Sequence, residues 1–257
     1  MAKVELFDVN FDNFDFDDLL QFMDQAIMNQ KPSYVLTCNV DHLMKLKHDE
    51  RFRTVYREAD AIVADGVPII WASRMLRRPL KQKVSGSDVL HRLGRAIEQQ
   101  QYRLFFLGAA EGVAEAARHE LLKLFPSLQI VGCHSPSYGF ESNEQESEEI
   151  VRMLREARPD IVLVGVGAPK QEKWIYDNYQ AYRAPVSIGV GGTFDLLSGN
   201  VKRAPKLFQR AGFEWFWRLC QEPSRLWRRY LIDDMKFINM FIQEIKKGKR
   251  REQDASN

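Results

Sequence analysis

Through the first 200 residues, short apolar runs alternate with longer segments in which apolar residues recur at helical spacing. The short runs are rich in β-branched and aromatic residues, which predicts strands buried in a sheet. The predicted strands are VELFDV, SYVLTCN, AIVADG, YRLFFLG, LQIVGCH, DIVLVGVG and PVSIGVGG. Helical patterns at 88–100, 112–125 and 144–157 lie between them. Such alternation is typical of βαβ units, so we predict an α/β fold with a mainly parallel sheet flanked by helices.

The alternation stops after residue 200. From Ala204 onward the pattern predicts two or three helices, with Pro205 at the start of one and Pro223 at a break. We therefore predict two parts, a Rossmann-like domain over residues 1–200 and an α-helical appendage over residues 201–257.

The appendage differs in charge from the rest of the chain. Residues 201–251 contain 14 Lys+Arg and 5 Asp+Glu, whereas the remaining residues contain 23 and 30, so the net charge of +2 hides a basic appendage on an acidic body. A basic, aromatic-rich segment predicts a polyanionic partner, either a membrane face or nucleic acid. Arg225 and Arg228 share one helical face, which suits a helix in a lipid headgroup layer and, equally, a solvated basic face over a packed apolar one.

Composition limits the class of protein. With 45% hydrophobic residues in 257, the chain can bury a substantial core. Cys38, Cys133 and Cys220 are odd in number and widely spaced, which fits a reducing compartment better than a disulfide framework. The acidic N-terminus does not resemble a signal peptide, and no apolar run approaches the roughly 18 residues needed to cross a bilayer. We expect a cytoplasmic protein.

Polar residues and glycines follow five of the predicted strands. In open parallel sheets, ligands bind at the carboxyl ends of the strands. Any one of these clusters alone would more often be a helix cap or tight turn, but five together predict a site. The clusters are Thr37, Asn39 and Asp41 after the second strand, Asp65-Gly66 after the third, Gly108 after the fourth, and the motifs GVGAPKQE and GVGGTFD after the last two.

Asp65 is the candidate for acid or base chemistry. It follows AIVA, so its carboxylate should emerge at the lip of a buried strand. Partial burial there raises a carboxyl pKa toward the range in which it can act as a general base, although a lone Asp is more often an N-cap.

Two glycine-rich turns are candidates for ligand binding. In GVGAPKQEKW, Gly167 lets backbone amides approach a ligand, and Lys170 and Gln171 begin a helix, where anions bind well. The second turn contains Gly191 and Gly192, followed by an aspartate, Asp195, that could cap a helix or accept hydrogen bonds from a ribose or nucleobase. Neither turn matches the Walker A loop or the dinucleotide fingerprint, so a phosphate-bearing ligand is plausible without being specified.

We expect no metal and no cofactor. The D-x-D spacing lies only in FDNFDFDDLL, where acidic residues at the front of a helix stabilise its dipole. The five histidines show no ligand spacing with one another or with cysteine.

Taken in order, the motifs TCNVDHL, ADGVPIIWASR, VSGSDV, GVGAPKQEKWI, GVGGTFDLLSGNVKRAP and FEWFWRLCQEPSRLWRRY resemble the blocks of the WecG/TagA/CpsF glycosyltransferases, glycosyltransferase family twenty-six. The resemblance runs from about residue 34 to residue 237. It implies an inverting, metal-independent transfer of N-acetylmannosamine or its uronic acid from a UDP-sugar donor. The implied acceptor is a polyprenyl-diphosphate-linked sugar at the cytoplasmic membrane surface.

The resemblance also implies roles for individual residues. Asp65 takes the place of the catalytic base, and the appendage closes over the active site and meets the membrane. In this sequence Lys83 stands where the family often has arginine, which keeps the charge but loses the planar fork. The other matching positions are Thr37, Asn39 and Gln171 in the sugar pocket, Asp195 in the nucleotide block, and Arg218, Arg225 and Arg228 in the appendage.

Some features of the sequence also fit other functions and assemblies. A nicotinamide-dependent Rossmann oxidoreductase shares the sheet and the glycine turns but needs the missing dinucleotide fingerprint. A non-catalytic module could use the basic appendage to grip nucleic acid or a protein, whereas the family resemblance implies no nucleic acid. Exposed apolar surface on a detached appendage would favour a homo-oligomer.

Overall fold

The computed structural model describes residues 2–205, 208, 214–221, 223–228 and 236–254. Its centre is a six-stranded sheet in the order β4-β3-β8-β7-β5-β6, in which every neighbouring pair is parallel. The strands of this sheet are β3 (Ser33–Cys38), β4 (Ala61–Ala64), β5 (Arg103–Gly108), β6 (Gln129–His134), β7 (Ile161–Gly165) and β8 (Val186–Gly189). The predicted α/β, Rossmann-like fold class is confirmed.

Helices cover both faces of the sheet, and the predicted helix at 144–157 has the observed bounds. They are α1 (Phe16–Met28), α2 (Val40–Leu46), α3 (Glu50–Arg57), α4 (Val67–Met75), α5 (Gly86–Gln99), α6 (Val113–Leu124), α7 (Glu144–Ala157), α8 (Lys170–Tyr182), α9 (Thr193–Leu197), α10 (Glu214–Gln221), α11 (Pro223–Arg228) and α12 (Lys236–Asp254). A short 3-10 helix, Phe140–Ser142, precedes α7. No helix in the described ranges is both long and apolar enough to cross a membrane.

Two hydrophobic cores, one on each face, hold the helices to the sheet. One core packs side chains of α2, α3, α4, α7 and α8 against the sheet, and the other packs α1, α5, α6 and α9. The central strands β3 and β7 are buried along their whole length, as expected for a parallel sheet covered on both sides.

The N-terminal strand prediction needs correction. The run VELFDV forms no strand of the main sheet but spans a hairpin of β1 (Lys3–Leu6) and β2 (Val9–Asp12). Phe7 and Asp8 both have positive φ, which gives the tight turn whose twist suits a hairpin. The hairpin is tied to the edge of the main sheet, since the Asp12 carboxylate accepts a hydrogen bond from the backbone N–H of Ile62 at 2.9 Å.

Helix α12 packs on the body of the protein. Met240 and Glu244 are buried, and the ring of Phe237 lies 5.1 Å from that of Phe7 in the hairpin turn. The division of the chain at residue 200 stays a prediction.

The carboxyl edge of the sheet has a topological switch point between β5 and β7. The chain leaves β5 toward α6 on one face and leaves the neighbouring β7 toward α8 on the other. Ligands of open α/β sheets bind at such switch points. Gly108 and Gly165 meet there so closely that a Cβ on Gly108 would lie 2.6 Å from the carbonyl carbon of Gly165.

Candidate active site

Asp65 lies at the carboxyl end of the edge strand β4, as its sequence position predicts. Its backbone N–H donates to the carbonyl of Cys38 at 2.7 Å, which continues the β3–β4 pairing by one residue. Its carboxylate accepts a hydrogen bond from Ser85, which immediately precedes α5. Asp65 is half-buried at the carboxyl edge of the sheet, which we call the rim. Its carboxylate lies near the start of α5, because its partner Ser85 is the residue just before that helix.

The surroundings of Asp65 raise the pKa of its carboxyl group into the range that suits a general base. Burial raises the pKa of its carboxyl to about 6, and the nearby carboxylates Asp88 and Glu214 push it the same way. Lys83 and the Ser85 hydroxyl oppose that rise. A carboxyl with this pKa is ionised at neutral pH yet basic enough to take a proton from a hydroxyl group as it reacts.

Lys83 is the centre of the charges around Asp65. Its Nζ lies 3.1 Å from Glu214 Oε2 and 3.4 Å from Asp88 Oδ2. Burial alone would lower the pKa of Lys83, but these carboxylates carry it above its ordinary value, so the cation is retained. Arg203 also pairs with Asp88, and its Nε is buried without a hydrogen-bond partner among the described residues. Two cations and one potential base thus share one end of the site.

Helix α10 docks beside this cluster through one face. Glu214 at its start meets Lys83, while Trp217 Nε1 donates to the carbonyl of Lys202 at 2.9 Å. The carboxamide of Gln221 both accepts from the N–H of Lys202, at 2.9 Å, and donates to its carbonyl, at 2.8 Å. Positions 214, 217 and 221 follow helical spacing, so a single stripe of α10 sets its place over the cluster.

Thr37 and Asn39 have structural partners of their own. The Thr37 hydroxyl is buried and donates to the carbonyl of Gly189 at 3.0 Å, across the β3–β8 pair. Asn39 is the N-cap of α2 and accepts from the N–H of His42 at 3.1 Å. Asp41 is paired with Lys45 at 2.6 Å, and the same ammonium donates to the carbonyl of Ala168 in the glycine-rich loop. The assignment of Thr37 and Asn39 to a sugar pocket stays a prediction.

Gln171 joins the two glycine-rich turns. Its Oε1 accepts from the N–H of Gly167 at 3.0 Å and from the N–H of Gly191 at 3.1 Å. The side chain is buried, with 2% of its surface exposed. Gln171 therefore holds the two predicted binding turns in place from the buried side.

Glu172 holds Gln171 in place from the interior of the protein, and we call the two side chains the Gln171–Glu172 clamp. Its Oε1 accepts from Gln171 Nε2 at 2.6 Å and lies 3.7 Å from Nε2 of His42, whose other ring nitrogen is 2.7 Å from the Tyr56 hydroxyl. Burial raises the pKa of Glu172 to about 7, and its Oε2 has no hydrogen-bond partner in the described structure. Gly189 leaves the space for the pair, because a Cβ there would lie 2.7 Å from Gln171 Nε2.

Lys170 and Gly108 lie at the far end of the edge from Asp65. β4 and β5 are four strand spacings apart, so at ~4.8 Å per strand Asp65 and Gly108 are separated by about 19 Å. Lys170 pairs with Glu141 at 2.5 Å, and its ammonium stands over the Tyr138 ring, 4.5 Å from the centroid. Any single ligand that contacts Asp65 and Gly108 must be extended.

The second turn leads into α9. Gly191 has a positive φ of 55°, and Gly192 is the N-cap of the helix, where no side chain caps the backbone. Asp195 lies in the first turn of α9 and is half-buried. Its backbone carbonyl accepts from the N–H of Val201 at 3.0 Å and from the Ser198 hydroxyl at 3.1 Å. Its predicted contact with the nucleotide stays a prediction.

Three predicted arginines cannot be placed in the site. Arg218 lies in α10, and Arg225 and Arg228 lie in α11, but their side chains fall outside the described residues. In the D-x-D segment, Asp15 is the N-cap of α1 and forms a reciprocal capping box with Asp18. In the described part of the chain, no group of three or more His, Cys, Asp or Glu side chains could hold a metal ion.

Several residues of the site were missed by the sequence analysis. Asp88, Arg203 and Glu214 meet around Lys83 from three separate segments, and Glu172 and His42 meet beneath the turns. Each of the five lies in one of the motifs that carry the family resemblance, so their signal in the sequence was membership of the same motifs as the predicted residues.

Comparisons with known proteins identify the family of this chain. Two N-acetylglucosaminyldiphosphoundecaprenol N-acetyl-beta-D-mannosaminyltransferases, from Staphylococcus aureus strains MW2 and NCTC 8325 / PS 47, are each 29% identical to the chain over 252 residues, covering 97% of this chain and 94% of the relative. The model of a family described as "Glycosyl transferase WecG/TagA/CpsF family" matches residues 4–251. Its match spans the sheet, the Asp65 cluster and the helices after residue 200. The protein is thus a glycosyltransferase, and it belongs to the WecG/TagA/CpsF family.

Proposed function

We propose that the protein transfers N-acetylmannosamine, or a related hexose or uronic acid, from a UDP-sugar to a polyprenyl-diphosphate-linked N-acetylglucosamine. The names of the staphylococcal relatives specify this acceptor and an N-acetylmannosaminyl group, and the alignment covers nearly all of both chains. The product belongs to cell-surface polysaccharide or teichoic acid-type biosynthesis. The family match removes the support for the alternative, a nicotinamide-dependent oxidoreductase.

The observation that carries the mechanism is the placement of Asp65. A half-buried carboxyl with a pKa of about 6 stands at the rim, held by Ser85 and faced by the Lys83 cation. In the proposed step, Asp65 takes the proton of the acceptor hydroxyl as its oxygen attacks the anomeric carbon. The bond between that carbon and the UDP oxygen breaks on the opposite face, so the configuration inverts and UDP leaves.

The departing diphosphate needs compensation for its charge. In this proposal Lys83 and Arg203 supply cations beside Asp65, and the amides of the two glycine turns supply hydrogen-bond donors. Arg218, Arg225 and Arg228 add further cations from the appendage. The reaction is proposed to need no metal; of the two D-x-D carboxylates, Asp15 caps α1 and Asp17 lies in its first turn.

The distance between the two ends of the site along the carboxyl edge of the sheet suits an elongated donor such as a UDP-sugar. Asp65 and Gly108 are about 19 Å apart by strand spacing, so a nucleotide near the β5–β7 switch point could place its sugar toward Asp65. Gln171 would act indirectly in such a complex, by holding both turns in the shape that receives the diphosphate. We propose that the enzyme works at the cytoplasmic membrane face, because its acceptor is a lipid.

A donor screen tests the proposed function. The full chain is incubated with UDP-sugars and a short-chain polyprenyl-diphosphate N-acetylglucosamine, and UDP release is measured. We expect release that depends on both substrates and is greatest with UDP-N-acetylmannosamine or its uronic acid. Acceptor-dependent release from no UDP-sugar would reject the proposal.

The pH dependence of turnover follows from the pKa of Asp65. A general base must be ionised, so kcat/KM should rise as the pH rises through about 6 and then level off. The measurement is initial-rate kinetics with the short-chain acceptor from pH 5 to pH 8. A profile that is flat between these limits would contradict the assignment of Asp65 as the base.

Substitutions of Lys83 and Glu214 should shift the pH at which kcat/KM rises, which we call the acid limb of the profile, in opposite directions. Lys83 lowers the pKa of Asp65 and Glu214 raises it, so Lys83→Ala should shift the limb to higher pH and Glu214→Gln should shift it to lower pH. Lys83→Arg keeps the charge and should restore the wild-type position. Lys81→Ala is the matched control, because Lys81 pairs with Asp18 instead and should leave the limb in place. Shifts of the same sign in Lys83→Ala and Glu214→Gln would contradict this electrostatic account.

A further inference from the structure

Helix α4 exposes an apolar ridge directly after the candidate base. Its inner side is buried through Ile69 and Ile70, but Trp71 is 52% exposed and Met75 is 68% exposed. These two positions are one helical turn apart, so their side chains share one face. α4 begins at Val67, two residues after Asp65. The ridge therefore runs away from the rim of the site along the side of the protein.

Cations flank the apolar pair. Arg74 lies in the last turn of α4, and Arg77 follows the helix with a positive φ of 57°; both are exposed. Neither guanidinium pairs with a carboxylate among the residues that the structure describes. Their neighbour Arg78 differs, since it donates to the carbonyl of Glu5 and lies 3.6 Å from Glu244. We call Trp71, Arg74, Met75 and Arg77 the α4 ridge.

A second exposed apolar pair lies on the helix that contacts this region. Helix α12 reaches the end of α4 through the contact between Arg78 and Glu244. It exposes Ile238 (51%) and Ile242 (44%), again one turn apart. Two contacting segments thus each present apolar side chains to solvent.

The chemistry of the ridge fits a lipid surface. An indole at the boundary between water and acyl chains, an adjacent thioether and unpaired arginines are the features of a helix that lies in an anionic headgroup layer. We propose that the α4 ridge is a membrane-docking surface of the catalytic domain that binds anionic phospholipid, separate from the arginines of α10 and α11. The inference rests on the proposed function, in which the acceptor is a lipid.

Docking through this ridge would also orient the site. Trp71 is five residues beyond Gly66, which is about 7 Å along the helix axis. A bilayer that receives the indole would therefore lie between one and two helical turns from the Asp65 rim. The sugar of a lipid-linked acceptor could reach Asp65 while its chain stays in the bilayer.

The test measures vesicle binding of the full chain by co-sedimentation. Vesicles contain either phosphatidylcholine alone or phosphatidylcholine with phosphatidylglycerol. Trp71→Ser/Met75→Ser should weaken binding to the anionic vesicles by roughly tenfold, and Arg74→Gln/Arg77→Gln should weaken it by a similar factor that disappears at high salt. Met28→Ser is the matched control, because Met28 is 80% exposed on α1 and should have no effect.

Two further readouts separate the outcomes. Turnover with the short-chain, water-soluble acceptor should be the same in both double variants as in the wild-type protein. If the wild-type protein shows no turnover with this acceptor, the proposed function is rejected, but the membrane-docking surface is not. Wild-type vesicle binding by both double variants would overturn the docking surface. If Trp71→Ser/Met75→Ser instead converts a dimer into a monomer and leaves vesicle binding intact, the ridge binds a second copy of the chain, which also overturns it.

Discussion

Replacing Asp65 with Asn should leave the fold intact and lower kcat by about 10² or more, the loss expected when a general base is removed. The amide has the shape of the carboxyl and can still accept the Ser85 hydrogen bond, so the rim should keep its structure. It cannot take a proton from the acceptor hydroxyl. The measurement is steady-state turnover with the short-chain acceptor, together with the calorimetric affinity for UDP, which should change little.

Asp60→Asn is a matched control for this variant. Asp60 lies just before the opposite, amino end of β4, where its carboxylate accepts from the N–H of Tyr34 and pairs with Lys31. The substitution makes the same chemical change next to the same strand but far from the ligand edge, so turnover should stay close to wild type. Near-normal turnover of Asp65→Asn at saturating substrate would reject the proposed base.

The sequence predicts the sheet and the rim well, because both depend on local patterns. A buried strand such as AIVA is recognised by its composition, and the polar residue that ends it must lie at the carboxyl edge. Asp65 could therefore be located without a structure. The amphipathic period of residues 144–157 and its Asn143 cap likewise give the bounds of α7.

The partners of the predicted residues depend on the order of the strands, which local patterns do not contain. Thr37 donates to the carbonyl of Gly189 only because β3 lies beside β8, which is 152 residues away in the chain. Lys170 is directed toward Glu141 by the loop that follows β6. The same reason hides the Lys83 cluster, since Glu214 is 131 residues from Lys83.

Gln171 is predicted to contact a ligand, but its side chain is buried, and the hydrogen bonds that the structure shows for it are all with other residues of the protein. One oxygen serves two backbone N–H groups from separate turns, and the amide nitrogen must therefore face the Glu172 carboxylate. The orientation of the amide is fixed by chemistry: because the facing atom of Glu172 is an acceptor, the facing atom of Gln171 must be its donor nitrogen. This arrangement can be tested by exchanging the two side chains.

Gln171→Glu should lower the free energy of unfolding by about 3–5 kcal/mol at pH 8, the usual cost of an uncompensated buried charge. Two carboxyl oxygens would then face each other where Gln171 Nε2 and Glu172 Oε1 are now 2.6 Å apart. At pH 5 the pair can share a proton, so the loss should be much smaller. Urea denaturation at both pH values measures the difference, and UDP affinity should fall in parallel because the turns lose their shape.

The sign of this pH effect follows from linkage. Burial already raises the pKa of Glu172 to about 7, above its ordinary value of 4.5, and a second carboxyl would raise the pKa of the pair further. A carboxyl whose pKa is higher in the folded state contributes stability at low pH that is lost as the pH rises through the folded pKa. Lys45 and His42 also face this site, and Lys45 opposes the rise without cancelling it.

The double variant Gln171→Glu/Glu172→Gln should recover both stability and UDP affinity. The new carboxylate at 171 would accept from the N–H groups of Gly167 and Gly191, and the new amide at 172 would donate to it, so every hydrogen bond of the clamp is restored with its direction reversed at one position. Stability within about 1 kcal/mol of wild type at pH 8 is expected for such a restored pair. If the exchange is no better than Gln171→Glu alone, the two side chains do not act as one clamp, and the turns are held by contacts other than these.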